Sequence, residues 1–131
     1  MGKRKLQRFA ESETFGNVFQ RDCELKGRWN SNYFPNDNPL VLELGCGRGE
    51  YTVNLGRKMP EKNFIGVDIK GARLWRGAKT AFEEQMENLA FLRIQIETLE
   101  DYFAAGEVSE IWITFPDPQL QLSRARKRLT S

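Results

Sequence analysis

The feature that most constrains this chain is a short apolar run ending in alternating glycines. Leu40-Val41-Leu42-Glu43-Leu44 leads directly into Gly45-Cys46-Gly47-Arg48-Gly49. A continuous apolar run of this length, closed by a turn, reads as a buried strand. Glycine recurs where a chain turns sharply or where a ligand approaches the backbone. Residues 50–59 carry a helical pattern that stops at Pro60, and Asn63-Phe64-Ile65-Gly66-Val67-Asp68 reads as a second strand ending in an acid. Strand, glycine turn, helix, strand and terminal acid make a βαβ unit of the nucleotide-binding kind.

The alternation continues downstream. Over residues 71–87, Leu74, Trp75, Ala78, Ala81, Phe82 and Met86 fall on one helical face. Leu89–Ile94 reads as a third strand, residues 98–104 as a short helix and Glu110–Phe115 as a fourth strand. Such an order predicts an α/β fold, a Rossmann-like doubly wound parallel sheet with helices on both faces. The chain ends at Ser131, where the helix after the fourth strand would begin, so the expected sheet is incomplete in its C-terminal half. The domain organisation read from this is an irregular basic arm over 1–38, then a Rossmann-like domain over 39–131. The arm lacks a clear period, and its Phe9, Phe15, Phe19, Trp29, Tyr33 and Phe34 are expected to pack on the body. An open fourth strand is also an edge through which a second copy could associate.

In a sheet of this type, ligands lie beyond the C-terminal strand ends. Four candidate segments fall there: Glu43–Gly49, Asp68, Glu97 and Phe115–Gln119. The glycines alternate and do not match G-x-G-x-x-G, the spacing that seats a pyrophosphate on a helix N-terminus. A loop headed by an acid suits a ligand with a cationic amino-acid end and no phosphate, and S-adenosyl-L-methionine is such a ligand. The candidate cofactor-binding residues are Glu43, Gly45, Gly47, Gly49, Asp68 and Glu97. Asp68 follows the loop at the interval of a ribose-binding acid, and Glu97 is placed to border the adenine. Each has an ordinary alternative: a connecting turn, a helix cap, a surface acid. The conjunction of all of them selects the nucleoside reading.

Composition narrows the chemistry. The chain has no histidine, which excludes Ser-His-Asp hydrolysis, histidine bases and histidine-containing metal sites. Cys23 and Cys46 are far apart and read as free thiols of a reducing compartment. No run approaches the ~20 apolar residues of a membrane helix, so a cytoplasmic protein without a metal or membrane partner is expected. Positive charge gathers at the ends, in Lys3, Arg4, Lys5 and Arg8 and again in Arg124, Arg126, Lys127 and Arg128. The remainder holds 12 basic against 18 acidic residues. Basic ends on an acidic body suit an anionic polymer, against the ordinary reading of solvated tails. In Phe115-Pro116-Asp117-Pro118, two prolines stiffen the loop that carries Asp117.

Glu-Leu-Gly-Cys-Gly-Arg-Gly, Gly66-Val67-Asp68-Ile69-Lys70, Phe115-Pro116-Asp117-Pro118 and the basic run through Arg128 together resemble the tRNA (guanine-N7)-methyltransferase family. The resemblance runs from about Leu40 to the last residue. It implies methyl transfer from S-adenosyl-L-methionine to N7 of a tRNA guanine, guanine 46 of the variable loop. It also implies cofactor contacts by Glu43, Asp68 and Glu97, an active-site role for Asp117, and RNA contacts along Ser123–Arg128. The family places a tryptophan where this chain has Gln119 and a substrate-contacting lysine where it has Gln121, which leaves Arg124 or Arg126 to compensate. Two other readings stand beside this one: a methyltransferase for a small molecule or protein, and a catalytically incomplete RNA-binding fragment.

Overall fold

The computed structural model describes residues 6–7, 10–11, 14–46, 49–69, 71–113 and 128–130. The strands are β1 (Val18–Phe19), β2 (Leu40–Leu44), β3 (Asn63–Asp68), β4 (Leu89–Arg93) and β5 (Glu110–Ile113). The helices are α1 (Glu50–Lys58) and α2 (Gly71–Glu83), with a π-helical turn over Trp29–Tyr33 and a 3-10 helix over Ile96–Asp101. The sheet runs β1-β4-β3-β2-β5, and every neighbouring pair is parallel. After the edge strand β1 the chain starts the central run at β2, steps outward through β3 to β4, which lies beside β1, and returns to the other side of β2 as β5. The strand order therefore reverses between β2 and β5, which is where a doubly wound sheet opens its crevice.

Register assigns the two faces. Leu42 lies opposite Ile65 on one side and Ile111 on the other, and Ile65 lies opposite Ala90. These four residues line one face, together with Leu40, Leu44, Val67 and Leu92. Val41, Phe64, Leu89 and Phe91 alternate with them and meet Val53 and Leu55 of α1 and Leu74, Ala78 and Ala81 of α2 on the opposite face. A period of two within each strand produces this separation.

Helical segments lie on both faces of the sheet, as expected, but they differ in kind. Among the described residues, both α-helices cover one face. The other is covered by the π-helical turn, the 3-10 helix and residues 128–130, with Trp29, Leu99, Phe103 and Leu129 buried against the sheet. The segment expected to be irregular throughout 1–38 supplies an edge strand, with Val18 opposite Phe91 and Phe19 opposite Leu92. Trp29 has no exposed surface. It stacks on Phe103 at 5.4 Å, meets Phe19 edge-on at 5.3 Å, and donates its indole N–H to the Tyr102 carbonyl at 2.9 Å. The Glu107 carboxylate accepts the backbone N–H groups of Gly27, Trp29 and Ala104 at 2.8, 3.2 and 2.8 Å. Phe15, Phe19, Trp29, Tyr33 and Phe34 do pack on the body, Phe9 lies outside the described residues, and a buried indole can pack there because its N–H finds an acceptor.

The helix expected to reach residue 87 ends at Glu83. Gln85 adopts φ +54°, its N–H bonds to the Phe82 carbonyl, and the Met86 N–H reaches back to the Ala81 carbonyl. This pair of bonds is a Schellman cap, which a left-handed residue allows and hydrophobic periodicity does not reveal. The short helix expected over 98–104 is the 3-10 turn of Ile96–Asp101, and β4 stops one residue before Ile94. Of the fourth expected strand, Thr114 and Phe115 lie outside the described residues.

Candidate functional site at the C-terminal rim

The rim is built around the end of β2. Glu43 points to the helical face, is almost fully buried, and accepts the hydroxyl of fully buried Thr52 in α1. A buried carboxylate needs such partners. The contact ties the strand to the first turn of the helix that follows the glycine loop. Sequence reasoning passed over Thr52, whose only signal is its position three residues into an otherwise ordinary helix.

The loop is moored to β3. The backbone N–H groups of Gly45 and Cys46 both donate to the Val67 carbonyl, at 2.8 and 3.1 Å. Gly45 turns with φ +72° and Gly49 with φ +74°, a region costly for residues with a Cβ. At Gly49 packing adds to the constraint, because a Cβ would stand 2.7 Å from the Phe91 ring and 3.2 Å from the Gly77 Cα. Gly49 thus lets the start of α1 lie against β4 and α2, while Gly45 forms the turn at the strand end. Gly47 lies outside the described residues.

Asp68 closes β3, only 9% exposed, one residue beyond the carbonyl that moors the loop. Glu43 and Asp68 therefore lie on adjacent strands on either side of the Gly45 turn. Glu50 adds a third acid in the first turn of α1. Acids at a helix N-terminus oppose a pyrophosphate and favour a cationic group. The residues present fit a nucleoside with a positively charged tail better than a dinucleotide.

Beside Asp68 lies a cavity of about 750 Å³, within the range of small-ligand sites. Its sheet side is formed by Ile69, Arg93, Ile94 and Gln95, and its other side by Gln20, Arg21 and Asp22 of the arm, with Thr98 and Tyr102 between. Ile69 is 45% exposed. Glu97 stands exposed in the first turn of the 3-10 helix and is not among the cavity residues, whereas Gln95 is. The end of β4 thus brings the Gln95 amide to the rim two residues before the acid named from the sequence. Gln20–Asp22 were missed because they reach the rim only through β1, a two-residue strand without a pattern of its own.

Asp117, Gln121, Arg124, Arg126 and Lys127 lie outside the described residues. Arg128 is described, and its guanidinium grips the Glu100 carboxylate, with Nη2 to Oε2 at 2.7 Å. At the edge of the sheet, Glu110 accepts the Trp112 indole N–H and the Lys62 ammonium, which together hold its carboxyl below the usual range. Among the described residues no cluster of acids and cysteines could hold a metal ion, and no helix is long and apolar enough to cross a membrane.

Solved structures share this fold. The antibiotic-resistance methyltransferase Kmr superposes with a TM-score of 0.59 at 20% identity, over 70% of this chain and 48% of its own. The geranyl diphosphate C-methyltransferase of Streptomyces coelicolor, solved with S-adenosyl-L-homocysteine, gives 0.58 at 20% identity, over 89% of this chain and 38% of its own. The fold is that of the Rossmann-like, S-adenosylmethionine-dependent methyltransferases. A family described as "Putative methyltransferase" matches residues 37–131. The tRNA (guanine-N(7)-)-methyltransferase of Christiangramia forsetii is 61% identical over 98% of this chain and 61% of its own length. That of Bacteroides fragilis is 55% identical over all of this chain and 54% of its own. The chain belongs to this methyltransferase family, with relatives among the tRNA (guanine-N7)-methyltransferases, and spans roughly half to three fifths of the length of those relatives.

Proposed function

We propose that the chain binds S-adenosyl-L-methionine along the β2–β3 rim and serves methyl transfer to N7 of a tRNA guanine, guanine 46 of the variable loop, in the cytoplasm. The observation that carries this reading is the pair of carboxylates, Glu43 and Asp68, flanking the Gly45 turn at the C-terminal ends of β2 and β3, with β2 bordering the switch point. The cofactor, when bound, supplies an electrophilic methyl on a sulfonium sulfur. Asp68 accepts the ribose hydroxyls, the turn from Gly45 to Gly49 receives the amino-acid end, and Ile69 and Gln95 border the base. Glu97, two residues past Gln95 in the first turn of the 3-10 helix, is proposed to border the adenine from the solvent side.

Guanine N7 carries no proton and faces the major-groove edge, so no general base is needed before attack. The task of the protein is alignment. Asp117, four residues after Ile113 in the sequence, is proposed to accept the guanine N1–H and amino group and to favour the charge that develops on the base. Gln121, Arg124, Arg126 and Lys127 are proposed to meet the RNA, with the three cations taking phosphates. Arg128, its side chain 60% exposed while paired with Glu100, is proposed to border the same RNA surface.

Titration calorimetry with S-adenosyl-L-homocysteine tests the first half. Asp68→Ala should weaken binding by about tenfold or more, the loss expected for hydrogen bonds to a charged group. Asp117→Ala should leave that affinity near wild type while abolishing transfer of labelled methyl to bulk tRNA. Equal binding by wild type and Asp68→Ala would sink the assignment of the ribose acid.

A further inference from the structure

The cavity beside Asp68 has two sides that differ in chemistry. The sheet side offers Ile69, Ile94 and the Gln95 amide, suited to a base and sugar. The arm side offers Gln20, Arg21 and Asp22 in a tight turn, closed by the Cys23 N–H on the Gln20 carbonyl at 2.9 Å. Two side chains from the body hold that turn in place. The Tyr102 hydroxyl donates to the Arg21 carbonyl at 3.3 Å, and Arg93 Nη1 donates to Gln20 Oε1 at 3.3 Å. The Arg21 backbone is therefore fixed over the rim, while its side chain is exposed and enters no ion pair among the described residues.

We infer that the arm side of this cavity is a phosphodiester subsite for the RNA substrate, with Arg21 as its anchoring cation. The inference rests on the function proposed above and names a contact for its substrate that the sequence pattern does not single out. A guanidinium carried on this held turn at the mouth of a cavity presents a planar set of donors to phosphate oxygens, and the turn is ordered before RNA arrives. Gln20 and Thr98 add neutral hydrogen-bonding groups beside it. Asp22, adjacent in the chain, limits the subsite to a single phosphate by repelling a second. The path for RNA would then cross the rim from the arm toward β5, passing the cofactor.

The test is the salt dependence of tRNA binding by the 131-residue chain, read beside its affinity for S-adenosyl-L-homocysteine. Each phosphate contact contributes about 0.7 to 0.9 to the slope of log K against log salt. Arg21→Gln should lower the slope by about that amount and leave the S-adenosyl-L-homocysteine affinity within about twofold. Arg21→Lys, which keeps the charge, should restore the slope. If Arg21→Gln leaves the slope intact, or instead weakens S-adenosyl-L-homocysteine while the slope stands, the subsite does not belong to RNA. Absence of S-adenosyl-L-homocysteine binding by wild type would refute the underlying function instead, so the two failures are distinguishable.

Discussion

At the residue scale, Tyr33 shows how burial sets a measurable property. Its hydroxyl donates to the Leu89 carbonyl at 2.8 Å, and burial pushes its pKa up from 10 to about 12. The folded state therefore resists ionisation that the unfolded chain accepts. The stability this provides is fully present below pH 10 and is lost as pH rises toward 12. A shift of this size corresponds to about 2 to 3 kcal/mol. Tyr33→Phe should cost about 1 kcal/mol at neutral pH through the lost hydrogen bond. Above roughly pH 11 the order should reverse, with the variant the more stable, because only wild type gains by ionising when unfolded. Urea titrations at pH 7 and pH 11.5 would show the crossing. Glu43 and Asp68 were legible as candidate residues because each ends a recognisable strand. Thr52 and Gln95 were not, since a hydroxyl inside a helix and an amide after a strand carry no pattern until the fold brings them to the rim.

At the scale of elements, β2, β3 and α1 came from sequence with boundaries close to those observed, because each is an apolar run or periodic stretch bounded by glycine, proline or an acid. The end of α2 could not be read in that way. Met86 continues the apolar face, but its backbone closes a cap around Gln85, which holds a left-handed conformation with a side chain that disfavours it. Gln85→Gly should therefore stabilise the protein by about 0.5 to 1 kcal/mol, since glycine enters that region without the Cβ penalty. Chemical denaturation would reveal this as a higher midpoint at an unchanged slope. A lower midpoint would mean that the Gln85 side chain contributes more than its backbone strain costs. β1 escaped detection for another reason: two residues define no period, and its partner strand lies over seventy positions away.

At the scale of the molecule, the arm forms part of the second core. Trp29 and Phe34 are buried in the same cluster as Leu42 and Ile65, and Glu107 closes the join by accepting three backbone N–H groups. Glu107→Ala removes all three acceptor bonds and leaves the part-buried Trp29 N–H without its carboxylate. The expected cost is about 3 kcal/mol, the range for hydrogen bonds to a charged group and an orphaned donor. Urea unfolding followed by tryptophan fluorescence measures it. A loss under about 0.5 kcal/mol, the scale of ordinary surface changes, would show that aromatic packing alone holds the arm.

The Glu107 clamp also orders events in time. Gly27 and its acceptor are separated by 80 positions, and Trp29 and Glu107 by 78. A ribosome delivers the first member of each pair well before the second, so a growing chain must carry its aromatic leader without this clamp until Glu107 has been synthesised. Non-local closure of this kind slows folding and leaves apolar groups open to capture in the interval. The leader of a nascent chain is thus a place where a chaperone would find purchase, and the arrival of residue 107 ends that opportunity.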